Sequence, residues 1–237
     1  MEKFNEIKVK VYLLKEINKR DCGEKIGELI NQSMLKNPVL QKLHLRNGYK
    51  FYCFDYLYPI EKDGIYKANN IYEFRIRGLV NLNEINMCIN KMRNKNMVVL
   101  TTEKILLKNQ MIKSVKNITP MVSTITENGK PRSFNVMYDD VEYIKRQVFN
   151  NLEKKFKTFH GIEFKTKYDD IFESISMLHK YPIIINYKNR KLFGYKFKID
   201  FKQNEIAQQY ANFSMLVGIG EKNSSIGCGY LTLNRGD

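Results

Sequence analysis

A chain of 237 residues with 43% hydrophobic content can bury one large core or two small ones, which excludes an intrinsically disordered polypeptide. Its 40 Lys and Arg against 25 Asp and Glu leave a formal net charge of +15, and such an excess selects a polyanionic partner, nucleic acid or an anionic membrane. No apolar run approaches the roughly 18 residues of a membrane span, and the N-terminus lacks the basic-then-apolar plan of a signal peptide, so a cytoplasmic protein acting on RNA or DNA, with no membrane partner, is expected.

Residues 7–14 alternate at their start and read as a strand. Residues 25–35 set Ile26, Leu29, Ile30 and Met34 on one helical stripe, which Asn37-Pro38 stops. The aromatic-rich residues 49–58 read as a second strand, Gly64 as a turn and residues 72–76 as a third strand. Ile85, Cys88, Ile89 and Met92 define a second helix starting near Asn83, and a last strand begins at residues 97–101. The order β-α-β-β-α-β is the ferredoxin-like plan.

A second copy of the plan follows. Residues 115–126 are strand-like around Thr119-Pro120, and Asn128-Gly129 is a turn signal. Residues 139–157 form the clearest helix, with Val141, Ile144, Val148, Leu152 and Phe156 at spacings of three or four. Residues 162–167 read as a strand; residues 181–187 and 191–201 read as a strand pair joined by Lys188-Asn189-Arg190. Residues 203–213 form a short helix, and residues 216–219 and 226–233 flank a glycine-rich loop. The expected fold class is therefore α+β, with two tandem ferredoxin-like (RRM-like) domains, residues 1–114 and 115–237, and a C-terminal glycine-rich loop. The repeat lies in topology, not in residue identity.

The side chains that could carry chemistry are sparse. Cys22, Cys53, Cys88 and Cys228 form no C-x-x-C pair, and His44, His160 and His179 are equally scattered, so no metal or cofactor is expected. Asp139-Asp140 and Asp169-Asp170 read as helix caps and turns. Lys145, Arg146, Lys154, Lys155 and Lys157 read as the solvated face of the long helix. Lys188, Arg190, Lys191, Lys196 and Lys198 interleave with Tyr187, Phe193 and Tyr195. That pattern suits phosphate contacts plus base stacking, and equally a sheet edge guarded by lysines. The terminal loop contains neither a dinucleotide-binding fingerprint nor a P-loop; a glycine-rich hairpin and a backbone anion site both remain open.

The loop reads Gly218-Ile219-Gly220-Glu221-Lys222-Asn223-Ser224-Ser225-Ile226-Gly227-Cys228-Gly229. With two ferredoxin-like halves, a basic charge, Leu43-His44, the aromatic strand from Lys50 to Phe54, and Ile118-Thr119-Pro120, it resembles the CRISPR-associated repeat-RNA endoribonucleases, the "Cas six" family. The resemblance implies metal-independent cleavage of CRISPR repeat RNA by attack of a ribose 2′-hydroxyl, leaving a 2′,3′-cyclic phosphate. It implies His44 and Lys50 as catalytic residues, with Lys42 and Arg46 as nearby cations. It places Gly218, Gly220, Lys222, Asn223, Ser224, Gly227 and Gly229 in RNA binding or site-shaping, and an interference (Cascade-type) complex among the partners. A tyrosine found in the first helix of some members is absent here, where Ile30, Asn31 and Ser33 stand. A non-catalytic repeat-RNA-binding scaffold is the alternative, and the sequence is silent on a homodimer.

Overall fold

The computed structural model describes residues 4–162 and 166–234. Strand β1 (Glu6–Leu13) buries Ile7, Val9, Val11 and Leu13 on one face, as the alternation requires. After β2 (Ile17–Asn18), helix α1 (Cys22–Met34) buries Ile26, Leu29, Ile30 and Met34, the predicted stripe. Asn37-Pro38 does not end the helical region. The Asn37 side chain accepts from the amides of Val39 and Leu40, and Pro38 takes the first helical position, where no amide hydrogen is needed. A second helix, α2 (Pro38–Leu45), therefore starts there, and His44 stands on its last turn.

The aromatic segment forms only the short β3 (Tyr52–Phe54). Then come β4 (Ile65–Tyr66), β5 (Ile71–Gly78), α3 (Leu82–Ile89) and β6 (Met97–Ile105). Asn81, not Asn83, caps α3, and Met92 is buried beyond its end. The main sheet has the order β3-β5-β1-β6, antiparallel throughout. In chain order these are the second, third, first and fourth principal strands, the ferredoxin-like arrangement.

The second half opens with β7 (Ser114–Asn117). The expected long strand breaks after it, at the Thr119-Pro120 step, where proline has no amide to donate. Strands β8 (Thr124–Glu127) and β9 (Lys130–Ser133) form a hairpin through Asn128-Gly129, both with positive φ. Helix α4 (Val141–His160) is capped by Asp140 and closed by Gly161. The strand expected at residues 162–167 falls partly on residues 163–165, outside the described residues; Ile162, Thr166 and Lys167 are not in a strand. After α5 (Tyr168–Ile171), the sheet strand in this position is β10 (Phe172–Met177).

Residues 191–201 divide in two. Strand β11 (Ile183–Tyr187) turns at Lys188-Asn189 into β12 (Arg190–Gly194), while β13 (Phe197–Phe201) enters the main sheet. Helix α6 (Glu205–Val217) runs beyond the expected residue 213, and a short helix, α7 (Asn223–Ile226), precedes β14 (Leu231–Leu233). The second sheet has the order β10-β13-β7-β14, the same permutation as the first. The fold is thus α+β with tandem ferredoxin-like halves.

Each sheet buries one face under its own helices. Between the halves, Arg77 pairs with Glu6, donates to the Leu231 carbonyl at 2.8 Å, and lies 4.4 Å from the Tyr230 ring centroid. The Tyr230 hydroxyl donates to Glu6 at 2.9 Å. Helix α7 packs directly on α1, where a Cβ at Gly23 or Gly27 would overlap the carbonyl oxygens of Ile226 and Ser225. No helix among the described residues is long and apolar enough to cross a membrane.

Candidate functional site

Helix α2 lays His44 against α1, with Nδ1 of the imidazole 3.1 Å from Asn31 Oδ1. An amide oxygen only accepts, so Nδ1 carries the proton and Nε2 keeps its lone pair. Burial first, and the charge of Lys50 second, lower the His44 pKa below its ordinary 6.5. The ring is therefore neutral at neutral pH. Lys50 Nζ donates to the His44 carbonyl oxygen at 2.5 Å, and burial lowers its pKa as well. Lys50 is thus the cation beside a neutral histidine, an arrangement that can accept a proton and stabilise a developing anion.

Lys50 lines a cleft of 290 Å³ together with Tyr49, Asn151, Lys155, Gly220 and Ser224. His44 is not in its wall and connects to it through Lys50. Lys42 and Arg46 are exposed on either side of His44, and the Arg46 guanidinium lies 5.8 Å from the Phe51 ring.

The far wall is the glycine segment, and its organising residue is Lys155. The solvated-face reading of Lys155 is wrong: the residue is 3% exposed. Its Nζ donates to the carbonyls of Gly218 at 3.0 Å and Gly220 at 2.8 Å, and to Asn223 Oδ1 at 2.6 Å. Burial pushes its pKa down to about 7. The Asn223 amide donates in turn to the carbonyls of Ile219 at 2.8 Å and Cys228 at 2.7 Å, stitching the segment from inside.

Gly218, Gly220, Gly227 and Gly229 are buried with positive φ. Of these four, Gly220 lines the cleft, as does Asn223. At Gly229, φ is +69° and a Cβ would overlap the Ile219 carbonyl oxygen. Gly229→Val is expected to lose at least about 2 kcal/mol through strain and overlap, read as a lowered urea midpoint; an unchanged midpoint would contradict the close approach. Lys222 is exposed, and the Ser224 carbonyl accepts from the Tyr52 hydroxyl at 3.1 Å.

The five cations of residues 188–198 do not share one face. Lys188, Arg190 and Lys191 sit on the β11–β12 hairpin, which docks on α1 through Asn186 to Asp21 at 2.7 Å and the Lys188 amide to Glu24 at 2.9 Å. Lys196 precedes β13, and its pKa is lowered by burial and by Lys116 and Lys19. Lys198 lies on β13 directly opposite Lys116 of β7 and pairs with Asp200 at 3.2 Å. Tyr195 is no stacking platform; it is fully buried, and its hydroxyl accepts from the Val136 amide at 3.0 Å. Tyr187 is half-buried, with the amines of Lys188 and Lys222 5.4 and 5.9 Å from its ring centroid.

His179 accepts at Nε2 from the Lys196 amide, 2.9 Å, and faces the Tyr181 carbonyl with Nδ1, so it is a packing residue. Asp139 grips Arg132 with both carboxylate oxygens and Asp140 caps α4, as the capping reading expects. Among the described residues no cluster of His, Cys, Asp and Glu could hold a metal ion. Sequence reasoning missed the partners Asn31 and Lys155. Lys155 had a signal: it stands seven residues after Val148 and three after Leu152, on the apolar stripe.

A family model described as "CRISPR associated protein Cas6, C-terminal" matches residues 101–233. No curated protein matches the sequence significantly. A solved structure described as a CRISPR associated protein Cas6 superposes with a TM-score of 0.71 at 18% identity, covering 98% of this chain and 99% of its own. One described as an RAMP protein binding different RNA substrates gives 0.74 at 18% identity, covering 97% and 99%. A Cas6-related protein from Pyrococcus furiosus gives 0.71 at 16% identity, covering 99% and 100%. At these identities the likeness establishes a shared fold.

Proposed function

The chain belongs to the CRISPR-associated Cas6 family, and from that premise we propose that it is a metal-independent endoribonuclease that cuts CRISPR repeat RNA. The observation that carries the proposal is the neutral His44, held by Asn31 and flanked by Lys50 at the edge of a cleft. In this reading Nε2 of His44 takes the proton of the ribose 2′-hydroxyl upstream of the cut. The 2′-oxygen bonds to phosphorus, the bond to the 5′-oxygen breaks, and that oxygen takes a proton from solvent water as it leaves. The products are a 2′,3′-cyclic phosphate and a 5′-hydroxyl. Lys50 stabilises the extra charge of the phosphorane. Asn31 stands in the first helix, which lacks the tyrosine of some members, and supplies orientation instead of a third proton-transfer group.

Residues 1–114 then carry the chemistry, and residues 115–237 supply the glycine segment and the basic hairpin. Lys42, Arg46, Lys222, Lys188, Arg190 and Lys191 are the exposed cations that would meet phosphates. Lys196 and Lys198 line the sheet side of the second half. The reaction belongs in the cytoplasm, with an interference complex as the recipient of the product.

The test is incubation of purified protein with repeat RNA in excess EDTA. A single cut ending in a cyclic phosphate supports the enzyme. Tight, salt-resistant binding without a cut would favour a scaffold subunit instead, and the absence of a tyrosine from α1 is the observation on that side.

A further inference from the structure

Lys50 reaches back into the first half, to the His44 carbonyl, but its two neighbours do not. Tyr49 and Phe51 pack against the core of the second half, and their rings meet with centroids 6.2 Å apart. The surface that receives them is α4. Asn151, Lys155 and Phe159 recur every four residues along it and so form one stripe. The first two line the Lys50 cleft, and the Phe159 ring meets the buried Phe51 ring edge-on at 5.2 Å. Phe159 leans in turn on Phe213 of α6, 5.8 Å away.

The backbone at Phe51 is strained. Its φ is +51°, in the left-handed region, where a bulky aromatic side chain is disfavoured. The other described non-glycine residues with positive φ are all asparagine or lysine. Such a conformation persists only where its surroundings over-determine it. Here the ring is held by the second half, and the Phe51 carbonyl accepts from the Leu79 amide at 2.9 Å. Upstream the restraint is weak: residues 46–51 lie outside helix and strand, and Gly48, with φ +100°, has open space beside it.

We propose that Phe51 is a positioning residue: its ring, latched on Phe159 of the second half, bends the chain so that Lys50 stands beside His44. The reaction centre, although carried by the first half, is then complete only when the two halves are packed together. The inference rests on the reading of Lys50 as the cation that stabilises the phosphorane. A lysine displaced by about 1 Å loses much of that effect, because transition-state stabilisation depends steeply on placement.

The test is Phe159→Ala in the full-length protein, which removes the latch from the half that carries neither His44 nor Lys50. Two readouts are needed: single-turnover cleavage of repeat RNA, and NMR titration of the His44 imidazole in the protein alone, identified by its absence from His44→Ala. Lys50 is the charge that shifts this imidazole; α1 presents the neutral Asn31, and Lys42 and Arg46 are exposed. Cleavage should slow by about 10- to 100-fold at unchanged RNA affinity. The His44 midpoint should rise as the lysine moves away. Phe159→Tyr, which keeps the ring, should restore both. In a Lys50→Ala background, Phe159→Ala should raise the midpoint no further. A rise that persists without Lys50 would mean general loosening around the histidine and overturn the latch, as would an unmoved midpoint in Phe159→Ala. Phe51→Gly should melt above Phe51→Ala, the reverse of the usual order, because glycine accepts the positive φ; the usual order would overturn the strained bend. If the unaltered protein leaves repeat RNA uncut, the proposed reaction fails and the titration still decides the latch. Cleavage with an unmoved midpoint keeps the reaction and sinks the latch.

Discussion

His44→Ala is expected to slow single-turnover cleavage of repeat RNA by about 10²- to 10⁴-fold, the usual contribution of a placed general base, while RNA affinity stays within experimental scatter. Affinity is expected to be spared because the cations proposed to meet phosphate are other residues, around α2, on the hairpin and at Lys222. The pH profile carries a second, independent sign. The reactive form is the neutral imidazole, and burial with Lys50 depresses its pKa below 6.5. The rate should therefore rise with pH through a midpoint below 6.5 and be flat above it. Asn31→Asp should move that midpoint up, since a carboxylate at Nδ1 stabilises the imidazolium. Equal cleavage by the alanine variant would remove His44 from the mechanism; an unmoved midpoint in Asn31→Asp would remove its orienting contact.

Lys155→Met is expected to produce the largest loss of stability near the site. Methionine keeps the aliphatic stem and deletes the donor; the neutral amine present near pH 9 has two N–H groups to share among the acceptors on Gly218, Gly220 and Asn223, and both are lost. An orphaned buried acceptor costs about 1–3 kcal/mol, so a loss of about 2–4 kcal/mol is expected near pH 9. Repeat-RNA affinity should fall with it, because the glycine segment is a wall of the cleft. The loss should also depend on pH. The folded-state pKa of Lys155 is about 7 against an ordinary 10.5. Between those values the unfolded chain holds a proton that the folded chain lacks, so this group makes stability rise with pH across that window. The cost of charging the buried amine is full below pH 7. Methionine has no such slope. Denaturant titrations should show the gap between the two proteins widening from pH 7 toward 10 and narrowing toward pH 6; a gap that widens on acidification would mean that the ammonium, not the amine, is the form the segment prefers.

Local patterns gave much of the architecture. The helices around Ile26, Ile85 and Val148 and the strands from Ile7 and Met97 follow from periodicities that any packed helix or half-buried strand must show. The weaker readings failed where one signal has two meanings. Asn37-Pro38 follows the end of one helix and caps the next, and that double meaning hides α2 from a local reading. The segment 191–201 is uniformly strand-like, so nothing local says that its first half pairs with β11 and its second half crosses to another sheet. Lys155 carries two opposed local signals, a charge that points to solvent and a place on the apolar stripe that points inward.

By itself, the sequence determined the ferredoxin-like order of elements, the basic charge that favours a polyanion, the positions of the four loop glycines, and the resemblance that singles out His44 and Lys50. Each depends on residue type or short-range spacing. Only the tertiary structure decided which polar groups meet: Asn31 with His44 across 13 residues, Lys155 with Gly218 across 63, and Glu221 with Thr124 across 97. Those contacts form because packed helices and strands bring distant segments together and remove their polar groups from water, where each must then find a partner. Burial of that kind belongs to the packed molecule, and it separates the lysine that holds the glycine segment from those left in solvent.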